Sequence, residues 1–246
     1  MDPQKIARVT GWLFLATIVT SIPARWLFVN GLGASWNDMR FIPDAGSDTP
    51  MYFGAILEFL LIVTGIGTAV VLYPIVKRQS EIGALGYVTA RLMESAFILV
   101  GLISIISAVT LREDLAGASG ADAASLATTG SSLVATYEWA FLFGPGLIAG
   151  IGNGMILGYL MYRSGLVPPR MAMLGLIGGP LLVLGFVLVL FGVIETGPGP
   201  QAALTAFEFV WELSFGIYLV VKGFRPSAVA SLRTRDPANE PSFAAR

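Results

Sequence analysis

Apolar positions in this chain come in long blocks rather than at the period of a strand or of a surface helix. Six apolar stretches stand out, at about 9–29, 51–76, 82–111, 133–162, 170–194 and 201–223. Roughly 20 helical residues cross the hydrocarbon of a bilayer, so each stretch is long enough to span. Backbone N–H and C=O groups cannot stay unpaired in lipid, so runs of this length must be helices. The third and fourth are long enough to tilt or to project beyond the bilayer. The pattern predicts an all-α, polytopic integral membrane bundle of six transmembrane helices occupying residues 1–225. Residues 226–246 mix Pro, Ser, Arg and Asp without periodicity and read as a disordered cytoplasmic tail.

Composition strengthens this picture. The chain is 55% hydrophobic and only 13% charged, where soluble domains carry roughly a quarter charged residues. A lipid bilayer is therefore its first partner. The cations then orient it. One set of helix ends holds Lys5, Arg8, Lys77, Arg78, Arg163, Arg170, Lys222, Arg225, Arg233, Arg235 and Arg246, and the opposite loops hold only Arg40 and Arg112. That asymmetry predicts both termini in the cytoplasm and a multi-pass protein of the cell inner membrane. Lys5 and Arg8 ahead of the first run read as an uncleaved signal anchor, because Ile22 and Ala24 make a poor cleavage site. The inner connections 77–81 and 163–169 are short and predict tight helical hairpins. The outer loops 30–50 and 112–132 are longer, and the second, rich in Ala, Ser and Gly, reads as a helical extension of the fourth span.

The chain has no Cys and no His. Disulfides, thiolate or imidazole metal sites, haem ligation and His-based triads are thereby excluded. No metal site and no cofactor is expected, and any bound cation would need oxygen ligands. There is no basic excess to suit a nucleic acid.

Charge inside the spans is the unusual feature. Glu58, Glu94, Glu138, Glu208 and Glu212 lie within them, as do Arg25 and Arg91. A charge at the bilayer centre costs about 2.5–3.5 kcal/mol even on the gentler insertion scale, so these residues should face inward and meet one another. At about 1.5 Å of rise per residue, Arg91, Glu94 and Glu212 fall near the midplane. Arg25, Glu58 and Glu208 fall roughly 6–8 Å further out, with Glu138 higher still, at headgroup level. Arg91 and Glu94 are three apart, Glu208 and Glu212 four apart, so each pair shares a helix face. The expectation is one polar core in the outer half, lined by spans one, two, three and six. Arg25, Glu58, Arg91, Glu94, Glu208 and Glu212 are its candidate ligand- or cation-binding residues. Five acids against two bases leave three carboxyls without a cationic partner, to be satisfied by a proton, a bound cation or water. The same groups could equally hold helices in register.

Two spans look broken. Span four reads Phe143-Gly144-Pro145-Gly146 and span five reads Gly178-Gly179-Pro180, and each Pro frees the carbonyl four residues back. Interrupted helices at matching depth point to transporter binding sites, whereas the ordinary reading is a repaired kink. Gly146, Gly150, Gly154 and Gly158 form a ridge that lets another helix approach, within the bundle or in a homo-oligomer, with Asn153 beside it. Trp139 and Trp211 adjoin Glu138 and Glu212 and could face a cationic ligand, though they more often fill space.

Several stretches carry a resemblance: "RVTGWLFLATIV" in the first span, "TARLMESAFILVG" in the third, the junction "GYLMYRSGLVPPRMAMLGLIGG" and the ending "ELSFGIYLVVKGFR". Together they resemble the bacterial six-span membrane family called domain of unknown function 4386, over about residues 5–225. The resemblance implies a small bacterial membrane protein and brings no activity with it. Three functions follow from the residues. The first is binding or transport of a small solute, cation or proton through the Glu-rich core. The second is an intramembrane enzyme acting on a lipid or isoprenoid, with a buried Glu as general acid. The third is a non-catalytic subunit or sensor of a membrane complex. Whether the protein is an enzyme stays open at this level.

Overall fold

The computed structural model describes residues 2–34, 39, 41 and 47–234, and the described residues contain helices and no strand. Seven helices follow in order: α1 (Pro3–Gly31), α2 (Thr49–Val76), α3 (Glu81–Ala116), α4 (Gly120–Ser164), α5 (Pro169–Leu190), α6 (Pro200–Val221) and α7 (Pro226–Thr234). The first six are each long and apolar enough to cross a membrane. The protein is thus an all-helical, multi-pass membrane bundle.

Local chemistry sets the helix ends. The Asp2 side chain accepts from the Lys5 N–H at the start of α1, and Ser80 accepts from the Gly83 N–H at the start of α3. These are N-caps, which satisfy donors that the first turn leaves free. Pro169, Pro200 and Pro226 each open a helix, where the missing N–H costs nothing. Gly165 closes α4 in the left-handed region at φ +67°, a conformation open to glycine without a Cβ penalty. The turns at 77–80 and 165–168 are as short as the sequence predicts.

The spans extend beyond their apolar runs. α3 continues through Arg112 to Ala116, and α4 begins at Gly120, so most of the 112–132 segment is helical extension. Hydropathy marks where a helix meets lipid, whereas backbone hydrogen bonding continues as far as the residues allow. α5 stops earlier than its apolar run, at Leu190, because the chain turns at Gly192 with φ +67°.

One segment departs from expectation. The start of the 226–246 stretch, read as disordered, forms α7, with Val229 and Leu232 buried in the core. The Arg225 N–H donates to the Leu166 carbonyl at 3.0 Å and docks this segment on the α4–α5 turn. Its two apolar contacts sit three residues apart, too few to register as a periodic face. Residues 235–246 lie outside the described residues.

Each spanning helix packs on its neighbour in sequence, and α6 closes back on α1. The start of α1 and the segment just after α6 meet at one end of this ring. There the Gln4 amide donates to the Phe224 carbonyl at 2.8 Å and accepts from the Phe224 N–H at 3.1 Å. The interior at that end is filled by Phe14, Leu72, Tyr87, Leu157, Trp211 and Phe215, contributed by α1, α2, α3, α4 and α6. The opposite end is packed unevenly. Its core draws Phe28, Met51, Ile105, Val134, Tyr137 and their neighbours from α1 to α4, with the adjoining Met39 and Phe41, and takes nothing from α5 or α6. Arg112 ties this end by donating to Asp48 Oδ1 at 2.7 Å and to the Gly31 carbonyl at 3.0 Å. Space consequently opens between α4 and α6 at the end away from the start of α1.

Candidate functional site

The charged residues of the spans separate into two clusters instead of one core. The first is built on α3 and α6. Arg91 Nη1 donates to Glu94 Oε2 at 2.7 Å, and Arg91 Nε donates to the Gly65 carbonyl of α2 at 3.2 Å. A Cβ on Gly65 would lie 3.0 Å from Arg91 Nη2, so the absent side chain is what lets the guanidinium lie against α2. On α6, Glu212 accepts from the Asn153 side-chain amide of α4. The Asn153 carbonyl in turn accepts from the Trp211 indole N–H at 3.1 Å.

Glu208 differs from these. It is 3% exposed, and among the described residues neither carboxyl oxygen has a hydrogen-bond partner. Its carboxyl rests on a floor of glycines. A Cβ on Gly154 would come within 2.7 Å of Glu208 Oε2, and one on Gly178 within 2.8 Å. Arg91, Glu94, Glu208 and Glu212 all line one cavity of about 190 Å³. The remaining wall is mostly apolar, with Ile98, Phe141, Leu182 and Phe209 among its residues, and it includes the hydroxyl-bearing Thr17, Ser21 and Thr205.

The second cluster lies among α1, α2 and α4. Arg25 Nη1 pairs with Glu138 Oε1 at 2.6 Å, and the guanidinium stands 5.7 Å from the centre of the Tyr137 ring. The Tyr137 hydroxyl donates to Glu58 Oε1 at 2.6 Å, while Glu58 Oε2 has no hydrogen-bond partner. Glu138, expected at headgroup level, is thus an ion-pair partner inside the bundle. Glu58 and Arg25, expected beside Glu208, belong with Tyr137 instead. Spacing along one helix does not give these partnerships, because only packing decides which helices share an interior face.

Arg25 and Glu138 also border a larger cavity of about 520 Å³ between α4, α6 and the 194–199 turn. This vestibule and the acidic cavity share Phe141, Thr205 and Phe209 in their walls. The two spaces are therefore adjacent, with those three side chains at their boundary.

Only one of the two expected helix breaks is present. Around Pro145, α4 changes to π-helical geometry over Leu142–Ile148 and again over Gly150–Leu157, and Pro145 itself lines the acidic cavity. A π segment accommodates the bond that Pro cannot make, and such segments recur at functional sites. Around Pro180, by contrast, α5 stays α-helical from Pro169 to Leu190. A single Pro inside a packed helix kinks it more readily than it interrupts it.

The glycine ridge is used inside the chain. Gly150, Gly154 and Gly158 lie directly against Gly179, Leu182, Gly175 and Leu176 of α5. Only Gly146 lacks a close neighbour from another helix. The homo-oligomer contact expected through these four glycines is thereby filled by α5 at three of them, since backbones this close leave no room for a second copy. Trp211 is fully buried on Phe215, and Trp139 is exposed on the bundle surface, so neither indole lines the acidic cavity.

Asn153, Tyr137, Thr205, Phe141 and Phe209 were not singled out as site residues. A sequence signal existed for some. Thr205 precedes Glu208 by three residues, and Thr17 and Ser21 are four apart, so each set shares a helix face. Nothing in the sequence pairs Tyr137 with Glu58.

Residues 9–223 match the model of a family described as domain of unknown function (DUF4386), and the chain belongs to that family. No curated protein and no solved structure matches it.

Proposed function

We propose that this family member is a carrier that binds a small cation or a proton in the acidic cavity and moves it across the bilayer. Glu208 carries the reading. A buried carboxylate without a partner is destabilised by several kcal/mol. A cation or proton arriving at Glu208 relieves that cost, and intramembrane acids of this kind mark ion pathways and proton relays.

Three further features support it. The cavity wall holds three acids and one base. It adjoins a vestibule at the end away from the start of α1, whereas the packed core around Phe14, Tyr87, Trp211 and Phe215 blocks the other end. By the cation count, the blocked end is cytoplasmic, which makes this an outward-facing state in a bacterial inner membrane. The volume of about 190 Å³ equals the share of about six waters. That suits a small solute.

The test is uptake into proteoliposomes. Internal pH and cation content are followed after an imposed gradient, for the wild type, Glu208→Gln, Glu212→Gln and the exposed control Glu113→Gln. Flux should fall at least tenfold in Glu208→Gln and stay at wild-type level in Glu113→Gln. Equal flux in all four proteins would sink the carrier reading.

A further inference from the structure

The chemistry of the cavity wall narrows the ligand class, on the premise that the acidic cavity is the cation site. Three acids and one base line the wall. Glu94 is neutralised by Arg91 at 2.7 Å, and Glu212 is held by Asn153. One orphan carboxyl remains, that of Glu208. Glu212 is bonded only by a neutral amide, so the wall keeps two acids that no base offsets, and a cationic ligand reduces that excess.

The three hydroxyls of the wall share one hydrogen-bonding sense. Thr17 donates its hydroxyl proton to the Phe14 carbonyl, Ser21 to Ile18, and Thr205 to Gln201. Each hydroxyl thus turns only lone pairs outward. Together with both Glu208 oxygens they offer five acceptor atoms beside the guanidinium donors of Arg91, which suits a ligand with several N–H donors. An ammonium offers up to three donors and no acceptor.

A metal ion fits less well. Calcium takes 6–8 oxygen ligands and magnesium demands a near-octahedral set. Among the described residues no group of three or more acidic side chains is arranged to hold a metal ion. A bare proton would satisfy one Glu208 oxygen and leave the rest of the wall unexplained. That rest is hydrocarbon: Ile18, Leu61, Ile98 and Leu182, with Phe141 and Phe209 at the vestibule boundary. Aromatic faces attract organic cations, and the attraction strengthens where water is excluded.

We infer that the acidic cavity is a site for a small alkylammonium ion, with its charged head on Glu208 and its hydrocarbon body against Ile98, Leu182, Phe141 and Phe209. Gly154 and Gly178 form the floor beneath the carboxyl, so the head approaches from the cavity side. Access is from the vestibule, past Phe141, Thr205 and Phe209.

The test uses the full chain in lipid nanodiscs, with n-butylammonium, its uncharged counterpart 1-butanol, Na⁺ and K⁺ as titrants in calorimetry. Butylammonium should bind at one per chain. The alcohol, Na⁺ and K⁺ should each bind at least tenfold more weakly. Glu208→Gln should weaken butylammonium at least tenfold, and Leu182→Phe, which fills the cavity without touching its charge, should weaken it as well. Tighter binding of Na⁺ or K⁺ than of butylammonium would overturn the ammonium assignment. So would proteoliposome flux that depends on Glu208 while butylammonium fails to bind; in either case the carrier reading stands. Absence of both binding and Glu208-dependent flux would overturn the assignment and the carrier reading together.

Discussion

Alanine at Gly154 tests the close backbone contact between α4 and α5. A Cβ added there would lie 2.6 Å from the Gly179 nitrogen and 2.7 Å from Glu208 Oε2, and would press on the Gly179 Cα. Ordinary contacts of this kind fall near 3.5–4.0 Å, so α4 and α5 must separate by about 1 Å. Extra methyl groups in a tight core cost about 1–3 kcal/mol. A value of about 2 kcal/mol is a factor of about 30 in the folded-to-unfolded ratio. Gly146, eight residues earlier on the same ridge, is the matched control. Its added Cβ would meet only the Phe141 carbonyl, at 3.9 Å, and should change stability by no more than about 0.5 kcal/mol. The assay is reversible unfolding in mixed micelles, followed by circular dichroism, with size-exclusion chromatography alongside. Gly154→Ala should unfold at markedly lower denaturant while Gly146→Ala matches the wild type. Equal midpoints would refute the α4–α5 packing. A change of oligomeric state in Gly154→Ala without loss of stability would mean that the ridge faces a second copy.

Two further outcomes are expected. Tyr137→Phe removes the donor that holds Glu58 Oε1 at 2.6 Å and should cost about 1–3 kcal/mol, the penalty of an unsatisfied buried group; a double-mutant cycle with Glu58→Leu should return a coupling of at least about 0.6 kcal/mol, and additive effects would break the assignment. Because the chain has no Cys, single cysteines report orientation cleanly: a membrane-impermeant maleimide should label Ser119→Cys in intact cells and spare Glu81→Cys, with the reverse pattern inverting the topology.

Much of the fold was legible in the sequence because lipid imposes a single strong rule. A run such as 51–76 must be helical if it crosses hydrocarbon, and α2 spans Thr49–Val76. The short connections at 77–81 and 163–169 were legible as well, because the apolar runs on either side leave few residues between them. The start of α7 was missed because its two anchoring residues, Val229 and Leu232, gain their meaning only from the groove they enter. The pairs Arg91–Glu94 and Glu208–Glu212 could be placed on common faces from spacing alone. The further step, which faces look at each other, failed for Glu58, Arg25 and Glu138.

The sequence by itself determined that this is a six-span helical bundle, that several charges lie buried within it, and that His and Cys chemistry is excluded. Those properties depend on composition and on periodicity along single helices. Tertiary structure alone decided the pairings between helices: Arg25 with Glu138, Asn153 with Glu212, Tyr137 with Glu58, and Glu208 with no hydrogen-bond partner among the described residues. It also turned the glycine ridge inward onto α5 and left a gap between α4 and α6. The reason is physical. In lipid the hydrophobic effect does not select one helix partner over another, so helix rotation is set by close packing and buried hydrogen bonds. Both are relations between distant residues.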